Sequence, residues 1–141
     1  VRKREDFHEP LFDAVPETLR ALSHDAVFMG VCTGKNRHGL DHMLDYHKIG
    51  DYFSTLQTPD TNAGKPAPDM MLSAMSETGT QGREAVMIGD TTYDMVMARE
   101  AGAYAVGVSY GHHSEQQLKA AGAQTIIHHM SELPTALEAL T

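Results

Sequence analysis

The chain has 141 residues, 41% of them hydrophobic and 21% charged, which is the length of one domain with a sizeable core. Its formal net charge of −8 argues against nucleic acid or an anionic membrane as the main partner, and no apolar run approaches membrane-spanning length. The single cysteine, Cys32, excludes an internal disulfide and fits a reducing cytosol.

The chain opens on Val1 rather than Met, as expected of a boundary inside a longer sequence, and its charged first residues read as a lead-in. Val15 to Leu22 carries Val15, Leu19 and Leu22 at helical spacing, with Pro16 tolerated in the first turn. Ala26 to Cys32 is a continuous apolar run ending at Thr33-Gly34, which predicts a buried strand and a turn. Leu40, Met43 and Leu44 recur at helical spacing, and Tyr52 to Gln57 reads as a short strand before the Pro-, Gly- and Asn-rich loop Thr58 to Pro68. Pro68 to Met75 reads as a helix, Ala85 to Ile88 as a strand, Thr92 to Ala101 as a helix stopped by Gly102, and Tyr104 to Val108 as a strand. A helix from Ser114 to Ala121, a strand from Thr125 to Ile127 and a last helix from Ser131 to Leu140, with Ser131 as its N-cap and Pro134 in its first turn, complete the chain. Strands alternating with helices predict an α/β fold, a mostly parallel sheet covered on both faces.

Three strand or loop ends carry residues with chemistry. Asp90 ends an apolar run and Asp94 follows four residues later, one turn into the next helix; no lysine or arginine stands beside them in sequence. Two such carboxylates at the carboxyl edge of a parallel sheet suit a hard cation such as Mg²⁺, though alone they are also a helix N-terminus being capped. Thr33, with Gly34 and Lys35, presents a hydroxyl and turn N–H groups able to meet a phosphate, and Asn36 could add a contact; alone, Thr-Gly is an ordinary turn. Lys65 stands in Gly64-Lys65-Pro66-Ala67-Pro68, where two prolines stiffen the backbone around an ammonium suited to a phosphoryl oxygen. A solvated lysine in a proline loop is its plain alternative.

In this order, Thr33 after a strand, Lys65 in a Gly-Lys-Pro loop and Gly89-Asp90-x-x-x-Asp94 after another strand resemble the haloacid dehalogenase superfamily, nearest to its phosphoglycolate-phosphatase-like members. The resemblance runs from Pro10 to about Leu140 and takes in Pro10-Leu11-Phe12, Val15 to Leu19, Tyr52-Phe53 and Val106 to Gly111. It implies a Rossmann-like core occupying residues 13–141, with residues 1–12 leading in from a cap or N-terminal part. It also implies a Mg²⁺-dependent phosphatase acting on a small phosphorylated metabolite. Thr33 matches the hydroxyl that bonds the transferring phosphoryl group, Lys65 the lysine that neutralises it, and Asp90 and Asp94 the acidic pair that holds Mg²⁺.

The same resemblance requires an aspartyl nucleophile in Asp-x-Asp-Gly-Thr at the end of a first, central strand, and this chain contains no Asp-x-Asp. Leu11-Phe12-Asp13 imitates its start, but Val15 stands where the second acid belongs, so Asp13 is read as a turn residue before the first helix. The expectation is a core without its central strand and cap, inactive alone. Its sheet would close by direct pairing of the flanking strands, by a second copy or by a companion fragment.

The remaining candidates are plainer. Nine histidines include His38 and His42 at i,i+4 spacing and the adjacent pairs His112-His113 and His128-His129; these read as surface polar residues, with His112 near the pocket rim. The methionines read as core filler, and Cys32 as a buried small residue. A non-catalytic Mg²⁺- or phosphate-binding module and a dimerising module are the other function classes. A receiver domain fits Thr33-Gly34 and Gly64-Lys65-Pro66 poorly.

Overall fold

The computed structural model describes residues 14–25 and 27–140; the Leu11-Phe12-Asp13 segment and the lead-in lie outside the described residues. The first helix, α1 (Val15–Ser23), starts with a proline in its first turn, Glu17 near its N-terminus and Arg20 near its C-terminus, each matching the helix dipole. Strand β1 (Gly30–Cys32) is shorter than the apolar run predicts. Its partner is only three residues long, so Gly30–Cys32 pair with Thr55–Gln57 while Val27 and Phe28 stay exposed. One further bond, from the Ser54 N–H to the Met29 carbonyl, extends the pairing.

Helix α2 (Arg37–His47) is capped by Asn36, whose Oδ1 accepts from the Gly39 N–H at 2.7 Å. The strand predicted from Tyr52 begins later, because Gly50–Tyr52 winds into a 3₁₀ turn; β2 is Thr55–Gln57. Helix α3 (Asp69–Thr78) runs three residues past its expected end and stops at Gly79, which takes the left-handed conformation at φ 67°. Strand β3 (Val86–Gly89), helix α4 (Thr92–Glu100), strand β4 (Tyr104–Val108), helix α5 (Glu115–Ala120) and strand β5 (Thr125–Ile127) follow the predicted order within a residue or two. The last helix, α6 (Leu133–Leu140), holds Pro134 in its first turn. It is preceded by a 3₁₀ turn, Met130–Glu132, whose cap is His129 rather than the expected Ser131: His129 Nδ1 accepts from the Ser131 N–H.

All strand pairs are parallel, but among the described residues they form two sheets, β1-β2 and β3-β4-β5. The flanking strands β1 and β3 therefore do not close the sheet by pairing with each other. Alternation along the strands sorts the core into faces. Met87 and Ala105 turn towards Met70, Met71, Met95, Met97 and Leu118 of α3, α4 and α5. Val86, Ile88, Val106 and Val108 turn towards Leu22 of α1, Ile127, and Leu133 and Leu137 of α6. In the smaller sheet Val31 and Leu56 pack with Leu40 and Leu44 of α2, whereas Cys32 faces the α3–α4 side. Helices thus cover both faces of a parallel α/β arrangement, and Met70, Met95 and Met97 are wholly buried core, as predicted.

Candidate active site

The carboxyl ends of β1 and β3 and the loop after β2 carry the residues singled out by sequence. At the end of β3, Thr91 and Asp94 cap α4 reciprocally. Thr91 Oγ1 accepts from the Asp94 N–H at 3.3 Å, and Asp94 Oδ2 accepts from the Thr91 N–H at 3.3 Å and from its hydroxyl at 2.9 Å. The Thr-x-x-Asp spacing of such a box is visible in sequence. Asp94 is only 4% exposed, and its second oxygen, Oδ1, accepts from Lys65 Nζ at 2.5 Å. This bond ties the loop of one half-sheet to the helix of the other. Among the described residues no buried side-chain polar atom lacks a partner, as burial of a charged pair demands. The Lys65–Pro66 peptide bond is cis.

The capping explanation and the functional one are therefore not alternatives for Asp94: one carboxylate caps with one oxygen and holds Lys65 with the other. Glycine at position 89 makes room for this, since a Cβ there would overlap the Asp94 carboxylate.

Asp90 is held differently. Its Oδ2 accepts from the His112 backbone N–H at 3.1 Å and lies 2.5 Å from His112 Nδ1. Partial burial pushes its carboxyl up, but the bonds from the His112 ring and backbone and the charge of His112 outweigh this and hold it below the usual aspartate value. Asp90 is therefore ionised near neutral pH.

Thr33 ends β1, with its N–H donating to the Gln57 carbonyl and its Oγ1 accepting from the Lys35 N–H at 3.1 Å. The hydroxyl proton remains to be donated. The residue before it, Cys32, lies within electrostatic reach of both Lys65 and Asp94, so this strand end borders the same corner. Burial pushes the Cys32 thiol up to about 11, Lys65 opposing and Asp94 reinforcing the shift, so the thiol is inert at neutral pH. Asn36 is occupied as a helix cap, and Gly34 faces open space.

Three features escaped sequence reasoning. His113 Nδ1 accepts from the Thr92 N–H at 2.8 Å, which no spacing rule signals. Gly111 sits where a Cβ would overlap the Asp90 side chain. A polar network also anchors the small sheet: Thr55 Oγ1 donates to Glu77 Oε1 at 2.6 Å, and Gln57 Nε2 donates to Glu77 Oε2 at 2.9 Å. Asn62 Nδ2, at the head of the lysine loop, then donates to Gln57 Oε1, and Ser73 Oγ of α3 to Asn62 Oδ1.

Among the described residues no group of three or more His, Cys, Asp or Glu side chains gathers as a metal-ligand cluster, which gives no support to a histidine metal site. Two hard carboxylates suit an ion that keeps most of its water and shares a substrate phosphate, which is the habit of Mg²⁺ and not of Zn²⁺. Of the two, Asp90 is the better direct ligand, because both Asp94 oxygens already accept protein hydrogen bonds. No helix among the described residues is long and apolar enough to cross a membrane.

Comparison with known proteins agrees with this architecture. The family described as haloacid dehalogenase-like hydrolase matches residues 2–108. A probable phosphatase IndB of Dickeya dadantii is 37% identical over 131 residues, covering 92% of this chain and 57% of the relative. A phosphoglycolate phosphatase of Photobacterium profundum is 30% identical over 124 residues, covering 87% and 54%. The chain thus spans little more than half the length of these relatives. The crystal structure of a conserved haloacid dehalogenase-like protein from Agrobacterium tumefaciens superposes with a TM-score of 0.83 at 28% identity, covering 92% of this chain and 60% of that one. With its family, its relatives and its fold in agreement, the chain belongs to the haloacid dehalogenase-like hydrolases.

Proposed function

We propose that the chain is the phosphate- and cation-binding portion of a Mg²⁺-dependent phosphatase that hydrolyses monoesters of small phosphorylated metabolites in a reducing cytosol, and that it does not turn over alone. The observation that carries this reading is the Lys65–Asp94 ion pair at the carboxyl end of parallel strands, with the ionised Asp90 next to the end of β3, four residues before Asp94. Mg²⁺, when bound, would neutralise charge on the phosphoryl oxygens. Asp90 would ligate the ion directly, with Asp94 supporting it from behind. Lys65, fixed by Asp94, places a point charge for a phosphoryl oxygen, and Thr33 donates its hydroxyl proton to another. Such positioning and charge neutralisation make up most of the catalysis of phosphoryl transfer.

What the chain lacks is an Asp-x-Asp nucleophile and acid/base pair. The separation into two parallel sheets supports a further strand, from outside this chain, entering between β1 and β3 and bringing that aspartate. A companion segment would supply it; a second copy of this chain, itself without Asp-x-Asp, would lend only a strand. A homogeneous 141-residue preparation, assayed with p-nitrophenyl phosphate and Mg²⁺, is expected to show no turnover above buffer; robust Mg²⁺-dependent hydrolysis would overturn this reading.

A further inference from the structure

The loop after β4 is bonded to the loop after β3 at four points, through the consecutive residues His112 and His113, and Gly111 before them packs against the same loop. Gly111 lies against Asp90 so closely that a Cβ would overlap its side chain. The His112 backbone N–H and ring both meet Asp90 Oδ2. The His113 backbone N–H donates to the Asp90 carbonyl at 3.1 Å, and the His113 ring accepts from the Thr92 N–H at 2.8 Å. Thr92 opens α4, so its N–H is one of the helix donors with no partner inside the helix. The Tyr93 ring lies 6.1 Å from that of His113, tilted by 59°.

From this we infer that Gly111-His112-His113 is a positioning clasp. His113 holds the Asp90–Thr92 backbone at both ends, and through it sets the direction in which the Asp90 carboxylate is presented. Thr91 and Asp94 brace the same turn from the α4 side, so β3's end is fixed between two sets of side chains. The bond from Thr92 also fixes the neutral imidazole's tautomer: Nδ1 accepts, so Nε2 carries the proton. An asparagine at this position can offer an acceptor where Nδ1 stands, whereas the acceptor of a glutamine reaches towards Nε2. His113→Asn should therefore keep the clasp, while His113→Ala and His113→Gln should lose it.

The inference rests on the proposed cation role of Asp90, but half of its test does not. In the 141-residue chain, nitrogen NMR of the ring should find His113 Nδ1 unprotonated, and the Thr92 amide should exchange slowly. His113→Ala should speed that exchange and weaken Mg²⁺ binding, measured by calorimetry, about tenfold, the lower end of the effect of removing an outer support of a metal ligand. His113→Asn should restore both. A proton on Nδ1 in the native chain would overturn the clasp. So would Mg²⁺ binding that is measurable in the native chain and equally tight in His113→Ala. If the native chain binds no Mg²⁺ while Thr92 exchange still depends on His113, the clasp stands and the cation reading of Asp90 fails.

Discussion

The two half-sheets hold their share of the site by different means. In the β3-β4-β5 half, four of the five β4 residues are buried, and α4 is pinned beneath by Met95, Met97 and Ala98, all wholly buried. The carboxylates of Asp90 and Asp94 rise from that packed base. In the β1-β2 half, no β1 residue is buried, and the buried residues of β2 are Thr55 and Gln57, whose side chains bond Glu77 of α3. The lysine loop hangs from the same network through Asn62. Apolar burial does not depend on pH, whereas a hydrogen-bond network that ends on a carboxylate does. The proposed cation corner thus stands on the half whose strands are apolar and buried, and the proposed phosphate-facing residues on the half whose buried strand residues are polar. Lys65–Asp94 is the bond that registers one against the other.

The largest effect that could break this contrast is a cavity in the packed half. Met95→Ala should cost about 2–5 kcal/mol in urea unfolding, and a loss well under 1 kcal/mol would show that this base is not tightly packed. Next is the registering bond itself. Lys65→Ala removes the cation from a buried Asp94 that keeps only its Thr91 bonds, a loss of about 1–3 kcal/mol. Hydrogen exchange should then report the loosening more in residues 55–57 than in residues 104–108.

The smallest effect separates the halves by pH. Bonds from Thr55 and then Gln57 hold the Glu77 carboxyl below its usual value near 4.5. A depressed folded-state value means that its contribution is complete above the unfolded value and is lost as pH falls through the folded one. Protection of the Thr55–Gln57 amides should therefore drop as pH falls below about 4.5, and Glu77→Gln should flatten that dependence. Equal pH dependence in both halves would erase the distinction.

Much of this was legible in sequence because it rests on local rules. β4 and β5 begin and end where the apolar runs do, and α5 starts at its Ser114 cap. The Lys65, Asp90 and Asp94 positions stand out by spacing, and the structure bonds Lys65 to Asp94 directly. What was hidden depends on partners distant in the chain. The length of β1 is set by how few residues β2 offers, and α3 reaches Thr78, past Glu77, whose carboxylate is bonded by Thr55 and Gln57, some twenty residues earlier. The role of His113 is set by the meeting of two loops. Asn36 shows the same ambiguity: a residue suited to phosphate is equally suited to a helix N-cap, and its Oδ1 caps α2.

The central claim is that Lys65, Asp94 and Asp90 form a phosphate- and cation-binding corner even without a nucleophile. Calorimetric titration of inorganic phosphate into the 141-residue chain, with and without Mg²⁺, tests it most directly. The account predicts phosphate binding that Mg²⁺ strengthens, that Lys65→Ala abolishes and that Asp90→Asn uncouples from the metal. Phosphate binding that is indifferent to Mg²⁺ and to both substitutions, or no binding at all, would contradict it.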